Sequence, residues 1–471
     1  MEEKRRAGRG DPLDVALALE EGRDRPGAAK AKAEAAPHEE KQRRANPEGR
    51  AKPERNASPH KHGQGSGTAI AWAEARRVAR GAGRRLAGRA EELGEGALGA
   101  ALARGLVALT DLPAFDSSAM DGWAVAGPGP WRLSGEVLAG QRPSGRLGDG
   151  QAVGIATGAV LPPGATAVLR REHGTVERRA DGEWLRVGRP HPAPAPGQDV
   201  RRRGQECRSG EELLPAGTVV TPAVLGLAAA AGYDELTVTA RPRVEVLVLG
   251  DELLERGLPR EGRVRDALGP MLPAWLRALG ADVVAVRRLV DDAEALRRAV
   301  AGSDADLVVT TGGTAGGPVD HVHPVLARLG ARLLVDGVAV RPGHPMLLAE
   351  LPSGPEHLIG LPGNPLAAVS GVLTLVAPLL RTLAGHREPA PYAAPLTADV
   401  AGHPSDTRLV PVVFDDDSAA RPLHFAGPAM LRGLAAADGM AVIPPGGARA
   451  GDEAAVLDLG LVGGPAWGSG V

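Results

Sequence analysis

From Arg241 to about residue 388, apolar positions alternate between short unbroken runs and longer stretches at helical spacing. Val244 to Leu249 is one such run, closed by Gly250-Asp251-Glu252, and predicts a strand. Met271 to Leu279 predicts a helix, with Pro270 and Pro273 confined to its first turn. Val283 to Leu289 predicts a strand, Ala293 to Val300 a helix, and Leu307 to Thr310 a third strand. Val322, Val325, Leu326 and Leu329 then recur at helical spacing. Further strands are expected around Leu333 to Val340, at Met346 to Leu351 and at Leu358 to Leu361. The last leads through Pro362-Gly363-Asn364-Pro365 into a long apolar helix from Leu366 to Leu383, with Asn364 as N-cap and Pro365 as first helical residue. Such alternation implies an α/β domain: a parallel sheet with helices on both faces and ligands at the carboxyl ends of its strands.

The rest of the chain follows other patterns. Residues 1 to about 65 mix charges of both signs with Pro, Gly and Ala, and only Leu13 to Leu19 clusters apolar side chains. That segment cannot bury enough surface to offset its ordering entropy and is expected to be a disordered charged tail. Helical periodicity starts near Thr68 and runs through Ile70, Ala73, Val78 and Leu86; Leu98, Leu102, Leu106 and Val107 extend the apolar pattern. Leu112 to Val125 crowds Asp116, Ser117, Ser118, Asp121, Gly122 and two aromatics into a span too broken for a regular element. Dense polar chemistry on a loop suits function, and it also suits a turn in which Asp116 and Ser117 cap the backbone. Trp131 to about Gly188 consists of short alternating segments punctuated by Gly and Pro, which predict a small β-rich domain. A stiff connector, His191 to Gly197, follows, and then a helix with Thr221 as N-cap and Pro222 behind it. From about Pro389, pieces such as Leu409 to Phe414 and Met440 to Ile443 predict a small β-barrel or sandwich in which no chemical constellation stands out.

Composition narrows the class. The length of 471 residues suggests about three domains. A net charge of −2 gives no electrostatic reason to expect nucleic acid or an acidic membrane surface. The single cysteine, Cys207, leaves no internal disulfide, fits a reducing compartment, and is expected to be an inert thiol. No stretch is expected to reach the roughly 18–20 apolar residues of a membrane span, and the first residues lack the apolar core of a signal peptide, so a cytoplasmic location is expected. All six lysines lie in the first 61 residues, so arginine is the only permanent cation after them.

Chemistry collects at the predicted strand ends. Leu307 to Thr311 runs into Gly312-Gly313-Thr314-Ala315-Gly316-Gly317-Pro318-Val319-Asp320. Glycines of this kind let backbone N–H groups approach a ligand, and the following helix start favours anions. The same composition serves a flexible turn that binds nothing. Asp251 and Glu252 follow the first strand, Asp266 precedes the first helix, and Gly363-Asn364 opens the last. Carboxylates beside N–H-presenting turns suit a divalent cation held together with phosphate groups. His321 and His323 invite a metal-ligand reading, but residues two apart on a helix point to different faces.

Several motifs then occur in one order. Phe115-Asp116-Ser117-Ser118-Ala119-Met120-Asp121-Gly122-Trp123-Ala124 resembles FDNSAMDGYA of the MoeA-type molybdopterin molybdenumtransferases, the molybdenum insertases that include the gephyrin E domain. Thr157-Gly158-Ala159 with Pro163-Gly164-Ala165 resembles TGA…PEGA, Gly250 to Leu253 matches GDEL, Gly360 to Pro365 matches GLPGNP, and Ala436 to Pro444 resembles EADGLAVIP. The resemblance runs from about Leu106 to Leu457. It implies an elongated α/β linker domain (66–130 and 189–240) with an inserted β-rich domain (131–188), a pterin-binding α/β domain (241–388) and a C-terminal β-barrel (389–471).

It further implies a homodimer with a shared cleft, possible contact with other molybdenum cofactor enzymes, and a reaction that inserts molybdate into adenylylated molybdopterin with release of AMP and a cation such as Mg²⁺. Asp121, Glu252, Asp266 and Asp320 fall on acidic positions of the implied cleft as candidate catalytic residues. Thr157, Thr311, Gly312, Gly313, Thr314, Arg341, His344, Gly363 and Asn364 fall on its binding positions, and Asp251, Glu252 and Asp320 on the implied metal positions. The chain departs from the family where SGGVSVG becomes Thr311 to Gly317 with Ala315 in place of a serine, and where YDSN becomes Arg265-Asp266-Ala267-Leu268. KPGKP becomes Arg341-Pro342-Gly343-His344-Pro345. These departures motivate the alternative of a divergent paralogue that binds pterin or nucleotide as a non-catalytic scaffold or carrier.

Overall fold

A computed structural model of the chain describes residues 69–315, 320–387 and 392–459. The expected charged tail, and Gly316 to Val319 of the glycine-rich turn, lie outside the described residues.

The α/β region is built on six strands: β1 (Arg243–Leu249), β2 (Asp282–Leu289), β3 (Leu307–Thr311), β4 (Arg332–Asp336), β5 (Leu347–Glu350) and β6 (His357–Leu361). Their order is β2-β1-β3-β6-β5-β4. The first four are parallel, and β5 and β4 continue the sheet antiparallel. The sheet is therefore mixed rather than wholly parallel: residues 351–356 alone join β5 to β6, too few for a parallel crossover. Alternation within β1 explains the two helical layers. Val246 and Val248 join Val309 and Ile359 in one buried cluster with the Leu268–Ala278 and Pro365–Ala384 helices. Leu247 and Leu249 face the other way and pack with Val308 and Leu358 on the Ala293–Ala301 and Val322–Arg328 helices. Strands covered on both faces read as continuous apolar runs, as these do. The two edge strands expose apolar residues, β2 at Val284 and Val286 and β4 at Leu333.

The Pro365–Ala384 helix corrects an expectation. At 20 residues it is long and apolar enough to cross a membrane by length and composition, yet 89% of its apolar window is buried inside the fold. Each fully buried leucine along it stabilises the core by about 1.5–3 kcal/mol. Against it lies the Trp72–Ala82 helix, whose Ala75 and Ala79 are fully buried in the same cluster as Leu379, Leu380 and Leu383.

The segment Leu112–Val125 is less broken than its composition predicts. Gly122–Val125 is an inner strand of a six-stranded sheet, between Ala167–Arg170 and Gln151–Ile155, with Trp131–Val137, Gly182–Val187 and Gly174–Arg179 beyond. Gly122 has no room for a side chain there: a Cβ would lie 2.0 Å from the Leu169 carbonyl oxygen. Short ladders pair the chain before this sheet with the chain after it, Gly88–Glu92 with Glu235–Thr239 and Ser117–Ser118 with Val200–Arg201. Asp116 secures the join by accepting from the Arg203 N–H and from Arg202, each at 2.8 Å.

Val338–Arg341, expected to continue β4, leaves the α/β sheet at Gly337, where φ is +83°. It enters a seven-stranded sheet ordered Ile70–Ala71, Val338–Arg341, Thr407–Phe414, Gly439–Ile443, Glu453–Asp458 and Tyr392–Pro395, with Ala420–Pro422 paired to Thr407–Phe414. Among the described residues the order of this sheet runs open from Ile70–Ala71 to Tyr392–Pro395.

Candidate functional site

Two glycine turns meet at the carboxyl end of the α/β sheet. After β3, Gly312 and Gly313 both take left-handed backbone angles, φ +84° and +69°. The Gly312 N–H donates to the Leu361 carbonyl at 2.8 Å, extending the β3–β6 ladder by one bond, so it is engaged by the protein rather than offered to a ligand. A Cβ on Gly363 would lie 3.7 Å from the Gly312 Cα, so the two turns touch backbone to backbone. Thr311 and Thr314 are buried. The Thr314 methyl occupies space that a side chain at Gly360 would need. Gly363 and Asn364 are exposed beside them.

Of the carboxylates, Asp251 and Glu252 are exposed at the end of β1. Glu252 folds back so that its carboxylate lies over Gly250, and the Asp251 N–H is directed at Asp291 Oδ2 at 3.3 Å. Asp320 is half-buried at the far end of the glycine turn. Among the described residues no group of three or more His, Cys, Asp or Glu side chains is placed to hold a metal ion. Asp251, Glu252 and Asp320, the implied metal positions, are not gathered into such a group. His321 and His323 diverge, to the Asp291 carbonyl at 3.2 Å and to Asp336 Oδ1 at 2.8 Å.

Asp266 has a different place from the one its motif implies. Its carboxylate is enclosed, accepts the Leu268 and Gly269 N–H groups at 2.9 Å each, and pairs with Arg288. From the position before Ala267 it caps the first N–H groups of the Leu268–Ala278 helix. Asn364 occupies the N-cap position of the last helix with extended backbone, but its side chain makes no capping bond. The Leu366 and Ala367 N–H groups are instead directed at the Pro428 carbonyl, 2.9 and 3.3 Å away, from the C-terminal region.

Asp121 and Thr157 do come together. Asp121 Oδ1 accepts from the Thr157 N–H at 2.7 Å and from its hydroxyl at 3.0 Å. These bonds, with Arg171 nearby, hold the carboxyl below its usual range. The pair belongs to the sheet of Gly122–Val125, not to the α/β sheet.

Arg341 and His344 part company. The His344 Nδ1 lies 2.8 Å from the Val338 carbonyl, so the ring turns back on its own loop. Arg341 lines a pocket of about 470 Å³ together with Pro342, Arg408, Phe425, Gly427 and Met430. Phe425 has φ +65°, a conformation uncommon outside glycine, and carries the Arg432 guanidinium 4.7 Å from its ring centroid. The C-terminal region thus contributes chemistry where sequence showed none. The available signal was Asp406-Thr407-Arg408, two opposite charges at the head of the apolar run Leu409 to Phe414.

A mixed sheet with helices on both faces, glycine turns meeting at its strand ends and an arginine-lined pocket beside them define a multidomain α/β protein of the class that places its ligand site at the carboxyl ends of the strands. The chain matches the MoeA N-terminal region (domain I and II) over residues 70–232, the "probable molybdopterin binding domain" over 245–382 and the MoeA C-terminal region (domain IV) over 393–459. It is 35% identical over 373 residues to molybdopterin molybdenumtransferase 2 of Mycobacterium tuberculosis, covering 74% of this chain and 89% of that one. It is 33% identical over 289 residues to the molybdopterin molybdenumtransferase of a Nostoc species, covering 58% of this chain and 65% of that one. The crystal structure of the molybdopterin biosynthesis MoeA protein from Pyrococcus horikoshii superposes with a TM-score of 0.68 at 28% identity, covering 83% of this chain and 99% of that one. The chain belongs to the MoeA family of molybdopterin molybdenumtransferases.

Proposed function

We propose that this chain carries out the metal-insertion step of molybdenum cofactor synthesis, placing molybdate on the dithiolene of adenylylated molybdopterin with release of AMP. The observation that carries this reading is the match of all three MoeA regions, in order, across residues 70–459. On this reading the pterin and its phosphates lie where the Gly312 and Gly363 turns meet, bordered by Thr311, Gly313, Thr314 and Asn364. Asp251, Glu252 and Asp320 form the acidic rim. Arg341 and Arg408 hold the molybdate, since planar guanidinium groups bind tetrahedral oxyanions through paired N–H donors. His344, turned toward the Val338 carbonyl, takes no part in that. Asp266 supports the site through the helix it caps.

Asp121 and Thr157 reach the cleft from a second copy of the chain in a homodimer. The motivating observation is that the hydrogen bonds of the Asp121 carboxylate stay within its own sheet region. A divalent cation arrives with the substrate's phosphates, because Mg²⁺ retains several waters and takes one or two carboxylates plus phosphate oxygens. The test is AMP release from adenylylated molybdopterin by the purified full chain on addition of molybdate and Mg²⁺, with Asp320→Asn as control. Release that the substitution abolishes supports the proposal. Pterin binding without release would overturn it in favour of a carrier.

A further inference from the structure

The pocket at Arg341 contains an arrangement that the oxyanion reading alone does not explain. Arg341 and Arg408 are Cα partners in a parallel ladder, so their side chains leave the same face of the sheet. Two guanidinium groups held side by side repel one another unless something answers their charge. Asp406 does so from beneath. It is 7% exposed, its Oδ2 accepts the Arg341 Nε–H at 2.8 Å, and its Oδ1 accepts the Ser405 hydroxyl at 2.8 Å. Its own N–H is directed at Nδ1 of His403, 3.1 Å away.

The choice of nitrogen matters. Nε lies on the inner edge of the guanidinium, so a bond there fixes the plane of the group while leaving its two terminal nitrogens unused by the carboxylate. Those terminal nitrogens are the fork that reads an oxyanion. Arg408 is steadied separately, by donation to the Ala401 carbonyl.

We propose that Asp406 is the positioning residue of the anion pocket: by holding Arg341 at Nε, it aims the two terminal nitrogens into the space shared with Arg408, making a fork for a tetrahedral oxyanion. The proposal rests on the reading of this pocket as the molybdate site. The arrangement depends on an arginine at 341, since an ammonium has no inner nitrogen by which it could be held while its donors point elsewhere.

The experiment is a double-mutant cycle on the full chain with Asp406→Asn, Arg341→Ala and the pair, following KM for molybdate and kcat for AMP release alongside thermal unfolding. Loss of one charge-assisted bond behind the arginine is expected to raise the molybdate KM about tenfold, with kcat within about twofold. In the Arg341→Ala background, Asp406→Asn should add nothing. An equal rise with and without Arg341 would overturn the proposal by making Asp406 a general structural residue. An unchanged KM in Asp406→Asn, with a raised KM in Arg341→Ala, would overturn the positioning role while leaving the pocket reading intact. An unchanged KM in Arg341→Ala would remove both. Should Asp406→Asn fail to fold, Asp406→Glu carries the same comparison against the same background.

Discussion

Asp266→Ala separates the role the motif implies from the role the geometry supports. The substitution removes the acceptor of two N–H bonds at 2.9 Å at the start of the Leu268–Ala278 helix, inside a fold that leaves this residue 4% exposed. Loss of an N-cap costs about 1 kcal/mol, and burial of the orphaned donors raises that to about 2–3 kcal/mol. The full 3–5 kcal/mol or so of a broken buried ion pair does not apply. Arg288 is 33% exposed and keeps a second partner, Glu255, at 2.7 Å. For a domain of this size the expected fall in Tm is about 5–10 °C. Asp266→Asn keeps an oxygen for both N–H groups and should recover much of that loss. Thermal unfolding of the full chain gives the stability, and AMP release measured at a temperature where each variant is folded gives the chemistry. Activity per folded molecule should stay within a few-fold of wild type. Unchanged stability together with a hundredfold loss of turnover would refute the argument and return Asp266 to the reacting groups.

Two further outcomes follow from charge and burial. His357 and His386 are held below the ordinary imidazole value of 6.5 chiefly by burial, against the pull of Glu356 on the first and of the Gly99 carbonyl on the second. Below pH 6.5 the unfolded chain binds protons that the folded chain resists, so this stability is full above that pH and is lost as pH falls through it. Urea midpoints should drop between pH 7.5 and 5.5, and His357→Phe should flatten the trend; an unchanged slope in that variant would remove His357 from the explanation. Magnesium titrated calorimetrically into the ligand-free chain should give no saturable heat, whereas the same titration with AMP present should give one, and a tight site in the ligand-free chain would contradict the absence of a preformed acidic cluster.

The α/β region was legible because its signals are local. Val244 to Leu249 and Leu307 to Thr311 are buried on both faces and read as unbroken apolar runs, and the helices between them carry their own spacing. Pairing partners are a different matter. Nothing in Val338 to Arg341 distinguishes a strand that stays beside β4 from one that crosses to Thr407–Phe414, because the ladder is made by residues far apart in sequence. The cap of the last helix shows the same limit: Asn364 stands at the N-cap with Pro365 behind it, as its residue type predicts, but the bonds to the first N–H groups come from the Pro428 carbonyl in another region. At Asp266 a local signal stands beside the motif. An aspartate two residues before a helix start is a capping pattern, and the structure uses it as one.

The crossing of Val338–Arg341 also has a mechanical meaning. Arg341 is encoded within the α/β region, yet its backbone is bonded into the same ladder as Arg408, through the pairs Val340–Thr407 and Arg341–Arg408. Residues joined by a ladder move as one body. The ladder therefore holds both guanidinium groups in one sheet, and Leu409, Met440 and Leu459 of that region pack in the same core cluster as the α/β strands and the long helix. The link through Pro342 and Gly343 to Met346 is seated tightly against Ala367 and Ser370 of the long helix, where a side chain at Gly343 would have no room. The spacing of the arginine pair is thus set by one sheet, and its distance from the glycine turns by the packing between two.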